Sequence, residues 1–414
     1  MIHGNLNALV HFLKEMNKNI INSLARKHGT PLLIIDHEKI RKNYREFKRK
    51  LPRVQIYYAV KANSEPEIIK TLYNEGSSFD VASIAELRMV LDTLTPLLQR
   101  DYITLPDFIW KRIIYANPVK SSDSLPELNM YKPLLTYDSL EEMKKIRRNC
   151  PNAGLLLRIK ISDKGSVVKF SNKFGIEPEQ AEKLIIETIK SGLGVEGISF
   201  HVGSQCNNFK NFIKALESVA QIFKKVEAKG YQIGEAETRG CPIKQVDIGG
   251  GFPVAYNGGK KTFDELAKIL NKGFDKLFPK GKVDILAEPG RFLVANAGTA
   301  VAKVILAKHS TNVPCYHIND GVYHTFSAVI FDHLEPELKA VKEGKKNECY
   351  IFGPTCDGLD ELSKNQYIHN TSKVFLPKLI EGDLIYQDNI GAYSNASSTN
   401  FNGMPSAKVV HINV

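Results

Sequence analysis

Long apolar runs are missing from the 414 residues: none reaches the ~18 consecutive residues that a membrane-spanning helix needs. The opening stretch, MIHGNLNALVHFLKEMNKN, lacks a basic n-region and a small-residue cleavage site, so neither secretion nor membrane insertion is expected. Cysteine is sparse and unpatterned. The six (Cys150, Cys206, Cys241, Cys315, Cys349 and Cys356) form no CxxC and no Cys/His ligand spacing, which argues against a disulfide frame and against a metal site. Tryptophan occurs once, as Trp110, and nothing in its surroundings suggests a role. A cytoplasmic protein with free thiols is the expectation these absences leave.

Charge is present in excess of one sign, 56 Lys and Arg against 45 Asp and Glu, a net +11. Such a balance raises nucleic acid as a partner. The basic residues, however, lie in helical stretches such as KIRKNYREFKRK, with acids interleaved and no basic stripe carrying aromatics. Solvated helix faces are the better reading, and no nucleic-acid partner is expected.

Apolar, β-branched runs recur at Gln55–Val60, Phe79–Ala82, Arg112–Ala116, Leu134–Tyr137, Gly154–Ile161, Val195–His201, Gln245–Ile248 and Asp284–Ala287. Helical patterns fill most of the gaps. EPEQAEKLIIETIKSG, NFIKALESVAQIFKKVEAKG and TFDELAKILNKGFDKLF are amphipathic at the 3.6-residue period, and two of them close on glycine. Ser64-Glu65-Pro66-Glu67 and Ser83-Ile84-Ala85-Glu86 read as capping boxes. Eight strand–helix units over roughly 240 residues are what a (β/α)8 barrel requires. Beyond about residue 290, strands are expected at Val301–His309, Cys315–Asn319, Cys349–Phe352, Lys373–Leu379, Asp383–Gln387 and Lys408–Ile412, without regular helices between them. The fold class is therefore α/β, a TIM-like barrel over residues 37–289, followed by a C-terminal all-β domain over 290–414. The early strand Thr30–Ile35 precedes the barrel, and the segment 1–36 is assigned to the β domain.

A barrel of this kind carries its active site at the C-terminal ends of its strands. Those ends hold Lys61, Asp80, Asn117, Asp138, His201, Gly249–Gly251 and Glu288, with Arg158 inside the fifth barrel strand. After the seventh strand, Gly249-Gly250-Gly251 can turn backbone amides toward an anion, or can simply make a tight turn. Arg291, just after the eighth strand, brings a cation to the same region. The G-x-G-x-x-G spacing of a dinucleotide site is absent. Lys61 ends the apolar run Tyr57-Tyr58-Ala59-Val60, where burial would lower its pKa and favour Schiff-base chemistry; a bland surface lysine is the alternative. A lysine beside a phosphate cradle suggests pyridoxal 5'-phosphate (PLP), whose aldehyde needs the one and whose phosphate needs the other.

Nine segments then stand in a telling order: YYAVKAN (57–63), FDVAS (79–83), ANPVK (116–120), HVGS (201–204), DIGGGFP (247–253), AEPGR (287–291), FDH (331–333), GPTCDGLD (353–360) and GAYSNASSTNFNG (391–403). From about Thr30 to the C-terminus the chain resembles the fold type III, alanine-racemase-like PLP enzymes, and within them the ornithine decarboxylase-like family. That resemblance implies PLP-dependent decarboxylation of L-ornithine to putrescine, with L-lysine or dual use second and diaminopimelate decarboxylase third. It implies Lys61 as the Schiff-base lysine and His201 stacked on the cofactor ring. Ser204, Gly250, Arg291 and Tyr393 would hold the phosphate, Gly251, Gly290 and Arg158 would belong to the cofactor site, and Glu288 would pair with the pyridine nitrogen. Asp80 and Glu86 would surround Lys61 with negative charge, though Glu86 is equally readable as a helix cap.

The same resemblance makes Asp332 and Asp357 the grip on the distal ammonium of a cationic amino acid, with Phe401 in the substrate site, and Cys356 the proton donor to the α-carbon. It implies a homodimer in which the Cys-Asp pair comes from the partner. A distal carboxylate would call for arginine where this chain has aspartate, which disfavours diaminopimelate. A non-catalytic, antizyme-inhibitor-like binding protein is the reading from a different class; retention of Lys61, Glu288, Arg291, Cys356 and Asp357 speaks against it. Cys150 and Cys315 read as structural, and His309, His324 and His369 as satisfied or exposed. Asp101–Trp110 reads as an enlarged loop before the third barrel strand, Gly234–Pro242 as another before the seventh, and Gly391–Asn402 as a loop rich in serine and asparagine.

Overall fold

The computed structural model describes residues 18–233, 243–254, 262–310, 312–332, 334–363 and 373–414. Gly234–Pro242, Cys241, His333 and His369 lie outside the described residues. The chain divides into two compact units, one of Ile40–Leu293 and one that joins the described residues up to Lys39 with Val294–Val414.

In the first unit, eight parallel strands close into a barrel: β2 (Val54–Ala59), β3 (Ser78–Val81), β4 (Ile113–Tyr115), β5 (Leu134–Tyr137), β6 (Gly154–Arg158), β7 (Gly194–Ser199), β8 (Gln245–Asp247) and β9 (Asp284–Ala287). Tyr57, Ile114, Leu134, Leu156 and Leu286 fill its interior. Each such burial contributes ~1.5–3 kcal/mol, so the barrel is a packed core and leaves only its ends for chemistry. The register sets which residues meet at one end: Ala59 lies opposite Asp80, Arg158 opposite Ser199, and Ser199 opposite Asp247.

The helices are α1 (18–28), α2 (His37–Lys50), α3 (Pro66–Asn74), α4 (Ile84–Arg100), α5 (Leu105–Arg112), α6 (Leu125–Tyr131), α7 (Leu140–Asn149), α8 (Pro178–Lys190), α9 (Lys210–Glu227) and α10 (Phe263–Leu277). Hydroxyl caps start several of them. Ser83, Thr104, Ser139 and Thr262 each accept from the amide three residues on. Ser64 does not cap. Helix α3 begins on Pro66, which has no N–H to satisfy, and Asn63 Oδ1 takes the Glu65 amide at 3.2 Å instead. Of Asp101–Trp110 only residues 101–104 are a loop, and the rest lies in helix α5. Thr104 caps α5 and Pro106 lies in its first turn, while Phe108 and Ile109 are buried, enough apolar face to hold two helical turns in place.

The second unit is a sheet in the order β12-β15-β10-β11-β13-β14, formed by β10 (Gly298–Lys308), β11 (Cys315–Ile318), β12 (Lys339–Ala340), β13 (Asn347–Phe352), β14 (Val374–Leu376) and β15 (Leu384–Asp388). Strand β1 (Leu32–Asp36) pairs antiparallel with β10 and parallel with β16 (Lys408–Ile412). Its core joins Ile21, Leu32, Ile34, Val301 and Tyr386. Strand β10 starts earlier than expected because Gly298–Val301 pairs with Ile35–Leu32. Strand β14 stops at Leu376 because Pro377 has no amide to give the ladder. No helix among the described residues is long and apolar enough to cross a membrane, and no cluster of three or more metal-ligating side chains occurs among them.

Candidate active site

Lys61 lies in a single 3-10 turn, Val60–Ala62, directly after β2. Its ammonium forms an ion pair with Asp80 of the neighbouring strand, whose carboxylate is fully buried. The expectation of a desolvated lysine does not hold: the side chain is 39% exposed, so ion pairing rather than burial sets its surroundings. The second oxygen of Asp80, Oδ1, is buried with no hydrogen-bond partner. Glu86 lies in the first turn of α4 and acts in its cap, with its amide on Ser83 Oγ at 3.1 Å and its carboxylate taking the Ala82 amide at 2.6 Å. Burial raises the Glu86 carboxyl, opposed by the Ala82 hydrogen bond; Asp80 raises it further and Lys61 lowers it.

At the end of β7, His201 is held by the Gly203 amide, which donates to Nδ1 at 3.0 Å. That contact leaves the ring proton on Nε2. Burial, followed by the charges of Arg158 and Lys61, pushes the imidazole well below its usual range, so it is neutral. Arg158 is the last residue of β6 rather than an interior one; Ile159 beyond it still donates to the Ser199 carbonyl at 2.9 Å and also bridges Ile176. Its guanidinium lies over Phe174 at 5.0 Å. Burial lowers it, against the opposing pull of Glu288, Asp138, Asp247 and Asp80.

Glu288 follows β9, and its carboxyl is pushed well above the usual range by burial and then by the like charges of Asp247 and Asp80. Asp247 is raised to about 6, chiefly by burial and against the Gly249 amide that donates to its Oδ1 at 2.8 Å. Each of these two buried carboxyls therefore favours its protonated form more than a solvated carboxyl does.

Beside them, Gly249 has φ +62°, and a Cβ there would meet the Phe200 carbonyl at 2.2 Å. A Cβ on Gly250 would stand 3.1 Å from His201 Nε2 and 2.8 Å from the Glu288 carbonyl. The glycines thus let the backbone after β8 approach that after β7 and β9 more closely than side chains would allow. Gly251 accepts the Cys206 amide at 3.0 Å, Gly290 accepts the Leu293 amide at 3.0 Å, and Arg291 donates to Ser204 Oγ at 3.3 Å. A lysine, a glycine turn, a cation beside a hydroxyl and a buried carboxyl are the groups that the aldehyde, phosphate and ring nitrogen of PLP require. The residues present fit that cofactor.

The remaining expected residues lie on the second unit. Cys356 is exposed, and its amide and Sγ both face Asn402 Oδ1, at 3.3 and 3.6 Å. Asp357 accepts the Leu359 amide at 2.8 Å. Tyr323 stacks on Phe401 with ring centroids 4.3 Å apart, and its hydroxyl is raised by burial and then by Asp357. Thr399 donates twice to the Tyr323 carbonyl, at 2.9 and 3.0 Å. Buried Asp360 ties this cluster together by accepting from the amides of Val322 and Thr355, at 2.9 and 3.0 Å, and from Thr355 Oγ1 at 2.7 Å. Asp332 follows the single turn Ala328–Phe331, and Tyr393, with φ +55°, accepts from Ser397 Oγ at 3.0 Å. Cys150 is buried, Cys315 is half-buried, and His309 meets the Leu379 carbonyl at 3.0 Å.

Tyr323, Asn402, Asp360 and Asp247 were not singled out in the sequence. Asp247 stands in front of the three glycines and Asp360 closes GPTCDGLD, so both have a local signal; Tyr323 has none, because only chain folding brings it to 353–360.

A family model described as pyridoxal-dependent decarboxylase, pyridoxal binding domain, matches residues 37–295. The ornithine decarboxylase of Caenorhabditis elegans is 32% identical over 399 residues, 91% of this chain and 86% of that one. Antizyme inhibitor 2 of Xenopus laevis is also 32% identical, over 96% of this chain and 84% of its own length. The crystal structure of lysine/ornithine decarboxylase from Vibrio vulnificus complexed with putrescine superposes with a TM-score of 0.82 at 31% identity, covering 96% of this chain and 98% of that one. With the PLP-fitting barrel mouth and these likenesses together, the chain belongs to the pyridoxal-dependent decarboxylases of the ornithine decarboxylase family, enzymes that use PLP to decarboxylate an amino acid.

Proposed function

We propose that the protein converts L-ornithine to putrescine, as a cytoplasmic homodimer in which Cys356 and Asp357 of one subunit complete the barrel mouth of the other. The carrying observation is the exposed Cys356 thiol beside the Asp357 carboxylate, backed by the Tyr323–Phe401 stack. A thiol and an aspartate presented outward on the β unit suit a proton transfer and a distal ammonium.

When bound, PLP supplies the electron sink for the pair left on the α-carbon as CO2 departs. Lys61 anchors the cofactor, with Asp80 holding its amine. The neutral His201 would lie against the ring face. Ser204, Gly250, Arg291 and Tyr393 bind the phosphate, Gly251 and Gly290 belong to the cofactor site, and Arg158 lies among the carboxylates that line the mouth. Glu288 would pair with the pyridine nitrogen and keep it protonated, with Asp247 in the same buried field. Asp332 and Asp357 accept from the distal ammonium of the substrate and Phe401 packs against its methylenes. Cys356 Sγ returns a proton to the α-carbon.

Use of L-lysine is the second reading, favoured by the lysine/ornithine decarboxylase of Selenomonas ruminantium, 32% identical over 391 residues. One methylene is worth only ~1–3 kcal/mol in a pocket, so both substrates can share one site. Aspartates at 332 and 357 argue against a distal carboxylate, and hence against diaminopimelate. Retention of Lys61, Glu288, Arg291 and Cys356 argues against an antizyme-inhibitor-like role.

The test is incubation of the purified protein with PLP and, separately, L-ornithine, L-lysine or meso-diaminopimelate, with identification of the product. Putrescine as the main product supports the proposal; cadaverine or lysine corrects the substrate. No amine from any of the three, in a protein that also binds no PLP, moves the binding-protein reading to first place.

A further inference from the structure

The loop between β6 and α8 does more than connect them. Asp163, buried within it, accepts the amides of Phe170 and Ser171 on the same oxygen, each at 2.8 Å. The loop also bonds to the segment after β7. Ser166 Oγ donates to the Val202 carbonyl at 2.6 Å, Val167 donates to the Ser204 carbonyl at 3.0 Å, and the Ser204 amide donates back to Val168 at 2.9 Å. These bonds hold Phe170 perpendicular to His201, with ring centroids 5.0 Å apart and planes at 88°.

His201 therefore has two tethers, the Gly203 amide on Nδ1 and the edge-to-face contact with Phe170. The first orients one nitrogen, and the second resists rotation of the ring about its stem. Neither tether comes from the barrel strands.

We propose that Phe170, delivered by the Asp163-tied loop, is a positioning residue that fixes the plane of the His201 imidazole for contact with the PLP ring. This rests on the reading that His201 lies against the cofactor. Phe170 is only half-buried, so its replacement should leave the fold intact. A perpendicular aromatic pair contributes ~0.5–1.5 kcal/mol, which corresponds to roughly a two- to tenfold change in an equilibrium constant.

The experiment compares the wild-type protein with Phe170→Ala, Phe170→Tyr and Asp163→Ala. PLP retention is measured by equilibrium dialysis of the holoenzyme, and the His201 imidazole is titrated by NMR in the PLP-free protein. Phe170→Ala should weaken PLP binding about two- to tenfold and move the His201 titration upward toward that of an exposed histidine. Asp163→Ala should do the same through the freed loop, and Phe170→Tyr should restore both. Wild-type PLP affinity together with an unchanged His201 titration in Phe170→Ala overturns the inference. If Phe170→Ala shifts the titration while PLP affinity stays the same, His201 is positioned but does not contact the cofactor, and it is the underlying site reading that fails.

Discussion

Arg291 donates through Nη2 to Ser204 Oγ at 3.3 Å, joining the turn after β9 to the loop after β7. The two residues lie 87 positions apart and come together only because strands β7, β8 and β9 are neighbours in the barrel. If this pair holds the cofactor phosphate, Arg291→Ala removes a charge-assisted contact worth ~1.5–3 kcal/mol. PLP affinity should then fall by roughly ten- to a hundredfold, measured by equilibrium dialysis. Unchanged PLP affinity would remove Arg291 from the phosphate site.

Lys61→Ala should abolish turnover, because no other amine has been assigned to anchor the aldehyde. The variant should keep its fold, since Lys61 is 39% exposed and packs no core. A circular-dichroism spectrum paired with a single-turnover assay separates the two effects, and an active variant would sink the site assignment.

Cys356→Ala should leave substrate binding and CO2 release largely in place while misdirecting the returned proton. A carbonyl by-product should then appear alongside the amine, quantified by chromatography of the reaction mixture. An unchanged product ratio would contradict a role for Cys356 in that step.

Asp320 offers a test of pH dependence away from the barrel. Burial raises its carboxyl to about 7, even though its Oδ1 accepts the Gly321 and Thr325 amides at 2.8 and 3.1 Å. An acid raised in the folded state keeps its proton there while the unfolded chain has already released it. Its contribution to stability is therefore present below the ordinary aspartate range and falls as pH rises from about 4 to about 7. Asp320→Asn retains an Oδ1 acceptor and should flatten that slope in a series of melting temperatures. An identical slope in the variant would rule the group out.

The barrel was legible because its strands are apolar runs at regular spacing and its helices announce themselves with serine or threonine caps. The short helix α5 escaped notice because its two buried residues, Phe108 and Ile109, form too narrow a stripe to read as periodic. Ser64 does not act as a cap because α3 starts at Pro66, which puts Glu65 and not Ser64 at the N-cap position.

What the sequence determined by itself was the chemistry on offer: a lysine at a strand end, three glycines after a strand, a carboxyl and an arginine after the last barrel strand, and a thiol beside an aspartate. These are local patterns, and the covalent chain specifies them directly. Tertiary structure alone decided their electrical state and their company. Lys61 is ion-paired rather than desolvated because the register of β2 on β3 sets Asp80 beside it. Glu288 is pushed toward its protonated form because closure of the barrel buries it in the field of Asp247 and Asp80. Charges interact through space, over distances that the order of residues along the chain does not contain.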